Sequence, residues 1–227
     1  METKFDSSTI LDQTFFSLDI QTMLRDVEDF VEFSESNIER QKHRELRRTE
    51  RKCEDEKFDD PNTKAQYRIQ SIEGVEYRFE VSLKQKVRYA SLTALITTVE
   101  WCLISLKNRA SFNFPKKPDS KNEAVHVLSI FNEKMALGLE EKIQILENLI
   151  QARNCIVHSA GLLGSYRYES QLRKSFDMLQ GMKASSINHL GEGIEIEEGF
   201  LSNTIEDFRL WLPRLEKTAL LHGCLRK

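Results

Sequence analysis

The sequence predicts a mainly α protein: a helical bundle with a long N-terminal helix and one or two small β-hairpins. Three observations carry this. Helix breakers are scarce, with nine Gly and four Pro in 227 residues. Apolar residues recur three or four positions apart over most of the chain. Two-residue alternation is confined to two short stretches, around Tyr67–Val81 and around Ile194–Ile196.

This length suits one well-cored domain with appendages, so residues 1–227 are read as a single domain. It divides into a long, partly projecting N-terminal helix (1–62), a hairpin insertion (65–83) and a core bundle (84–222). A net charge of −3 gives no basic field over the whole molecule, so a nucleic-acid partner would need a local patch. Cys53, Cys102, Cys155 and Cys224 form no C-x-x-C pair, which argues against a disulfide scaffold and a zinc site and favours a reducing, cytoplasmic setting. The first residues lack a basic start and an apolar run. The greasiest stretch, Leu92 to Leu106, contains Glu100 and is too short to span a bilayer, so no membrane partner is expected.

Between about Leu11 and Lys57 no Gly or Pro occurs, and Ile20, Met23, Leu24, Val27, Phe30, Val31 and Ile38 follow helical spacing. Beyond Leu46 the apolar stripe ends and charge takes over, so the distal helix is expected to project into solvent and stop near Pro61. Tyr67, Ile69, Val75, Tyr77, Phe79 and Val81 alternate with polar residues about Glu73-Gly74, which predicts a hairpin. A second helix follows from about Lys84 to Arg109, then a loop with Pro115 and Pro118. Asp119 or Ser120 is placed to cap a short helix ending at Met135. After Gly138 comes "LEEKIQILENLIQARNCIVHSAG", a helix that Gly161 can terminate. A further helix closes at Gly181, a hairpin is expected around Gly191 and Gly193, and Phe200 to Leu221 forms a last helix with a kink at Pro213.

One residue in this pattern is out of place. On a helical projection Ile143, Leu146, Ile150 and Val157 form an apolar seam, and Arg153 lies within it, at about −40° from Leu139. An unpaired buried guanidinium costs several kcal/mol, so an anion or a wet cleft must accompany it. Asn154 and His158 are four apart at the border of the polar face. Arg153 and His158 lie about 140° apart, so on a regular helix they cannot share a face. A long reach, a loosened helix end or a second copy of the same helix would bring them together. The alternative is structural: His158 as a C-terminal cap on the helix dipole and Arg153 bridged to Glu100.

"RNCIVH", Arg153 to His158, resembles the R-x4-6-H motif of the HEPN superfamily (higher eukaryotes and prokaryotes nucleotide-binding), with Asn154 as the polar residue after the arginine. The motif's place late in a helical core, the inward Glu100 on "RYASLTALITTVEWCLISL" and the closing helix are similar to that family over about Lys84 to Leu221. The expected hairpin at 65–83 and the charged helix extension depart from it.

The resemblance implies a HEPN-like bundle and a metal-independent endoribonuclease, often a bacterial toxin or defence effector, acting as a homodimer with facing motifs. No cofactor or metal is implied. RNA supplies its own 2′-hydroxyl nucleophile, so the reaction needs a proton acceptor, a proton donor and positive charge at the phosphate. His158 fits the general acid or base, Arg153 the phosphate, and Asn154 a second donor or an orienter of the imidazole. Glu100 is a supporting candidate, and Ser159, Tyr166 and Arg167 are candidate substrate contacts, with packing favoured for Tyr166. RNA is the expected partner, with an antitoxin or defence-complex component as a further one. The alternative function is a non-catalytic HEPN-like module that binds RNA or nucleotide, or that serves as a scaffold.

Other features are read as structural. "RQKHRELRRTERK", Arg40 to Lys52, has seven Lys or Arg, but Glu45 and Glu50 interrupt it and a solvated helix face is favoured over a phosphate grip. Trp101 and Trp211 are assigned to core or interface. His43, His126, His189 and His222 have no metal-ligand spacing.

Overall fold

The computed structural model describes residues 7–188 and 191–226, with side chains for 17–186 and 191–226. It is mainly α with one small antiparallel hairpin. The elements are α1 (Ser7–Asp55), α2 (Pro61–Glu76), a π-helical segment (Tyr77–Leu83), α3 (Lys84–Asn108), α4 (Glu123–Met135), α5 (Glu140–Ser159), α6 (Glu169–Ser175), β1 (Met182–Asn188), β2 (Gly191–Ile196) and α7 (Phe200–Leu221).

The core is built around α3. Leu92, Leu95, Ile96, Val99, Cys102 and Leu103 are fully buried there, against Ile20 and Leu24 of α1, Phe131 of α4, Leu146 and Leu149 of α5 and Ile205 and Leu212 of α7. Each such Leu or Phe contributes about 1.5–3 kcal/mol by leaving water. Several polar groups inside this bundle are paired, while Ser91 Oγ and Trp211 Nε1 are buried with no partner among the described residues. Glu216 of α7, 1% exposed, accepts from Arg109 Nη1 at 2.8 Å and from Ser17 Oγ at 2.7 Å. The hairpin is fastened to α3 by Gln85, whose side-chain amide exchanges two 3.0 Å bonds with the Ile196 backbone, and by Arg88 Nη1, which donates to the same carbonyl at 2.8 Å.

The hairpin expected at 65–83 is a helix instead. Asp60 caps α2 by accepting from the Thr63 N–H at 2.9 Å, Pro61 occupies its first turn, and helix runs without interruption from Pro61 through Asn108. The alternation in the sequence is coincidental, because α2 buries none of its residues. Ile69 and Tyr77 are largely exposed, and the first deeply buried side chain is Phe79 in the π segment. The wider π turn re-aims the helix face just before α3 enters the core. By length and composition this 48-residue helix could cross a bilayer, but Leu92, Leu95, Ile96, Val99, Cys102, Leu103 and Leu106 face the protein core.

Nor is the distal part of α1 bare. It ends at Asp55, and α2 packs back against it, with Cys53 buried between them. The two form an antiparallel helical arm. Two smaller differences follow from capping. Asn122, not Asp119 or Ser120, caps α4 by accepting from the Ala124 N–H at 2.8 Å. Residues Ser165–Gly181, expected as one helix, are helical only over the short α6, between a 3-10 turn and a series of tight turns. His189 lies outside the described residues.

Candidate functional site

Helix α5 carries the motif, and its end is held rigidly. Ala160 and Gly161 take left-handed conformations (φ 51° and 79°), and the Ala160 and Gly161 N–H groups both return to the Cys155 carbonyl. The Tyr89 ring from α3 lies directly over Gly161, where a Cβ would stand 2.5 Å from the phenol oxygen. The Tyr89 hydroxyl donates to the Ile194 carbonyl, and the Ile194 N–H donates to the Gly161 carbonyl at 3.0 Å. Burial raises the Tyr89 pKa well above the ordinary phenol range, so the hydroxyl stays a donor.

Arg153 lies at the rim of the apolar seam. The buried face of this half of α5 is centred on Leu149, Ala152 and Cys155, while Val157, expected in the seam, is 53% exposed. Arg153 Nη2 donates to Glu100 Oε1 at 2.8 Å, with 20% and 18% of the two side chains exposed. The same carboxylate oxygen accepts from Asn122 Nδ2 at 2.9 Å. Glu100, the expected balancing acid, is therefore placed by the residue that caps α4. Asn122 was missed in the sequence because its role needs the α4 start and Glu100 to be adjacent. Arg153 Nε is buried without an acceptor among the described residues.

The structure separates the two motif ends. The helix stays regular through Ser159, so no loosening turns His158 toward Arg153. His158 is exposed and Asn154 half-buried. Among the candidate substrate contacts, Ser159 Oγ donates to the Ser165 carbonyl at 3.2 Å, bracing the following turn. Tyr166 packs on the core and edge-on to Tyr168 (5.8 Å, 72°), and exposed Arg167 lies over the Tyr168 ring at 5.4 Å. Cys155, inside the motif, is fully buried, and burial raises its pKa to about 11, so it remains a protonated core thiol at neutral pH. Trp211 is buried, whereas Trp101, next to Glu100, is 47% exposed.

Chemically, the arrangement offers a guanidinium oriented by one carboxylate, with donors to spare, and a solvent-facing imidazole one turn further along the same helix. Among the described residues no group of three or more His, Cys, Asp or Glu is placed to hold a metal ion. No family model, curated protein or solved structure matches the chain.

Proposed function

We propose that the chain is a HEPN-like, metal-independent endoribonuclease of the cytoplasm, a toxin or defence effector working as a homodimer. The observation that carries this reading is Arg153. It is held by one nitrogen on Glu100, and among the described residues no acceptor takes Nη1 or Nε. In the reaction the RNA 2′-oxygen forms a bond to phosphorus as its proton passes to a base. The bond from phosphorus to the 5′-oxygen breaks as that oxygen takes a proton from an acid, leaving a 2′,3′-cyclic phosphate and a 5′-hydroxyl. His158 supplies the acid or base, and Arg153 and Asn154 bind the phosphate.

Because α5 is regular, Arg153 and His158 of one chain point about 140° apart. Arg153 of one protomer therefore works with His158 of its partner. Exposed Trp101 and Val157, each adjacent in sequence to a site residue, supply the apolar surface for that contact.

The Glu100 bridge equally suits the alternative, a non-catalytic HEPN-like RNA-binding or scaffold module in a defence complex. Incubation of pure protein with RNA in EDTA, beside His158→Ala, Arg153→Ala and Trp101→Glu, separates the two. Catalysis predicts chelator-resistant cleavage, reduced about 10²–10⁴-fold in the first two variants. It also predicts a monomeric, inactive third variant. Equal cleavage by every preparation, or none by the wild type, would remove the enzyme reading.

A further inference from the structure

The helical arm sorts its charge by face. Taking Arg40 as the origin on α1, Arg44, Arg47 and Arg51 lie within about 40° of it, and so does Phe33 two turns earlier. Buried Val31 and Ile38 point to the opposite side. The carboxylates that interrupt the run in the sequence are directed elsewhere and occupied. Glu39 pairs with Lys42 at 2.7 Å, Glu45 with Arg48 at 3.9 Å, and Glu50 with Arg68 of α2 at 3.7 Å. Arg44, Arg47 and Arg51 are exposed, with no acidic partner among the described residues. A groove lined by Arg44, Arg47, Arg48 and Arg51 follows the stripe, with Asp55 and Glu56 also on its wall. A second groove continues it past Arg40 and His43 to Phe33, which is 67% exposed, with Asp29, Glu32 and Glu39 also on its wall. Between Arg40 and Arg51 this solvated face thus presents a row of arginines, with carboxylates gathered toward the two ends of the grooves.

We infer that this arginine stripe with its aromatic end is a docking surface for single-stranded RNA, at a distance from the α5 motif. Forked guanidinium groups match phosphate oxygens. From Arg40 to Arg51 the stripe runs about 16 Å, a reach that spans several successive backbone phosphates. Phe33 offers an exposed ring for a base to stack on. An anionic membrane is disfavoured, because no row of apolar side chains accompanies the arginines along the groove.

This inference rests on the RNA reading above only for its choice of nucleic acid. The test is therefore a binding measurement on an uncleavable probe. The full chain is titrated against a fluorescent 2′-O-methyl oligouridine of 20 nucleotides across a salt series. Arg44→Glu/Arg47→Glu/Arg51→Glu should weaken binding at least tenfold and lower the salt slope by about 2. Phe33→Ala should weaken it about fivefold or more. A control triple of equal charge change on exposed lysines, Lys116→Glu/Lys121→Glu/Lys217→Glu, should stay within twofold, with all variants melting like the wild type. Equal losses in both triples, no loss in the stripe triple, or stripe-dependent binding to phosphatidylserine vesicles stronger than to RNA would each overturn the inference. Stripe-dependent binding by a chain that cleaves no RNA would leave it standing and remove the nuclease reading alone.

Discussion

The core end of the molecule and the α1–α2 arm treat cations in opposite ways. In the bundle the enclosed cations meet acids: Arg153 with Glu100, Arg109 with Glu216, Arg88 with Glu35 at 2.8 Å, and Arg209 with both Glu28 and Glu206. On the outer face of the arm, Arg44, Arg47 and Arg51 have no ion-pair partner among the described residues. Burial accounts for the difference. In a low-dielectric interior an unmatched charge costs several kcal/mol, so each cation is found with its acid. On an exposed helix water solvates it, and the fold sets no requirement for a partner. A guanidinium with spare donors in the first setting is a local device, and a row of free ones in the second is a surface.

The contrast can be broken most sharply by cavity formation. Leu103→Ala, at a fully buried α3 position, should cost about 2–5 kcal/mol in denaturant unfolding. The same truncation at Ile69, 56% exposed on α2, should stay within about 0.5 kcal/mol. Similar losses at both sites would mean that the arm is as tightly integrated as the bundle.

A smaller effect is expected at the charged rim. Glu100→Gln leaves Arg153 half-buried without its anion and should cost about 2 kcal/mol. Arg51→Gln on the arm should be nearly neutral, and paired thermal melts of the two variants give the comparison.

The smallest effect concerns pH. Glu80 in the π segment bonds to Lys42 of α1 and Lys84 of α3, and these bonds hold its pKa below the ordinary carboxylate range. A folded-state pKa that is depressed stabilises the protein above the unfolded value and loses that contribution as pH falls through the folded one. Melting temperature should therefore drop on acidification below about pH 4.3, slightly less steeply in Glu80→Gln, with the Leu103 core position insensitive.

Much of this was legible in the sequence, and the failures share a cause. α3, α5 and α7 follow from apolar periodicity, and Gly161 marks the end of α5 because its position admits no side chain. Glu100 was readable as the acid for Arg153 since both interrupt apolar helices. Residues 65–83 misled because alternation signals a strand only when the buried positions alternate too, whereas the half-buried residues of α2, Lys64, Tyr67, Ser71, Ile72 and Val75, recur at helical spacing. Val157 misled in the same way, as ideal projection does not say where neighbouring helices stop. The interleaved Glu residues of the arm concealed the arginine row, since sequence adjacency reports charge order and not which face a residue takes, with Glu45 paired by Arg48 of α1 and Glu50 by Arg68 of α2.

The unbroken run from Pro61 to Asn108 has a mechanical consequence. Forty-eight residues of continuous helix make a beam roughly 70 Å long, clamped in the bundle at one end and cantilevered beside α1 at the other. Load applied near the tip has no hinge in which to dissipate, so it is carried as bending toward the clamp where Glu100 sits. The π turn at Tyr77–Leu83 is braced rather than left as a joint, because Lys42 and Lys84 grip Glu80 from two helices.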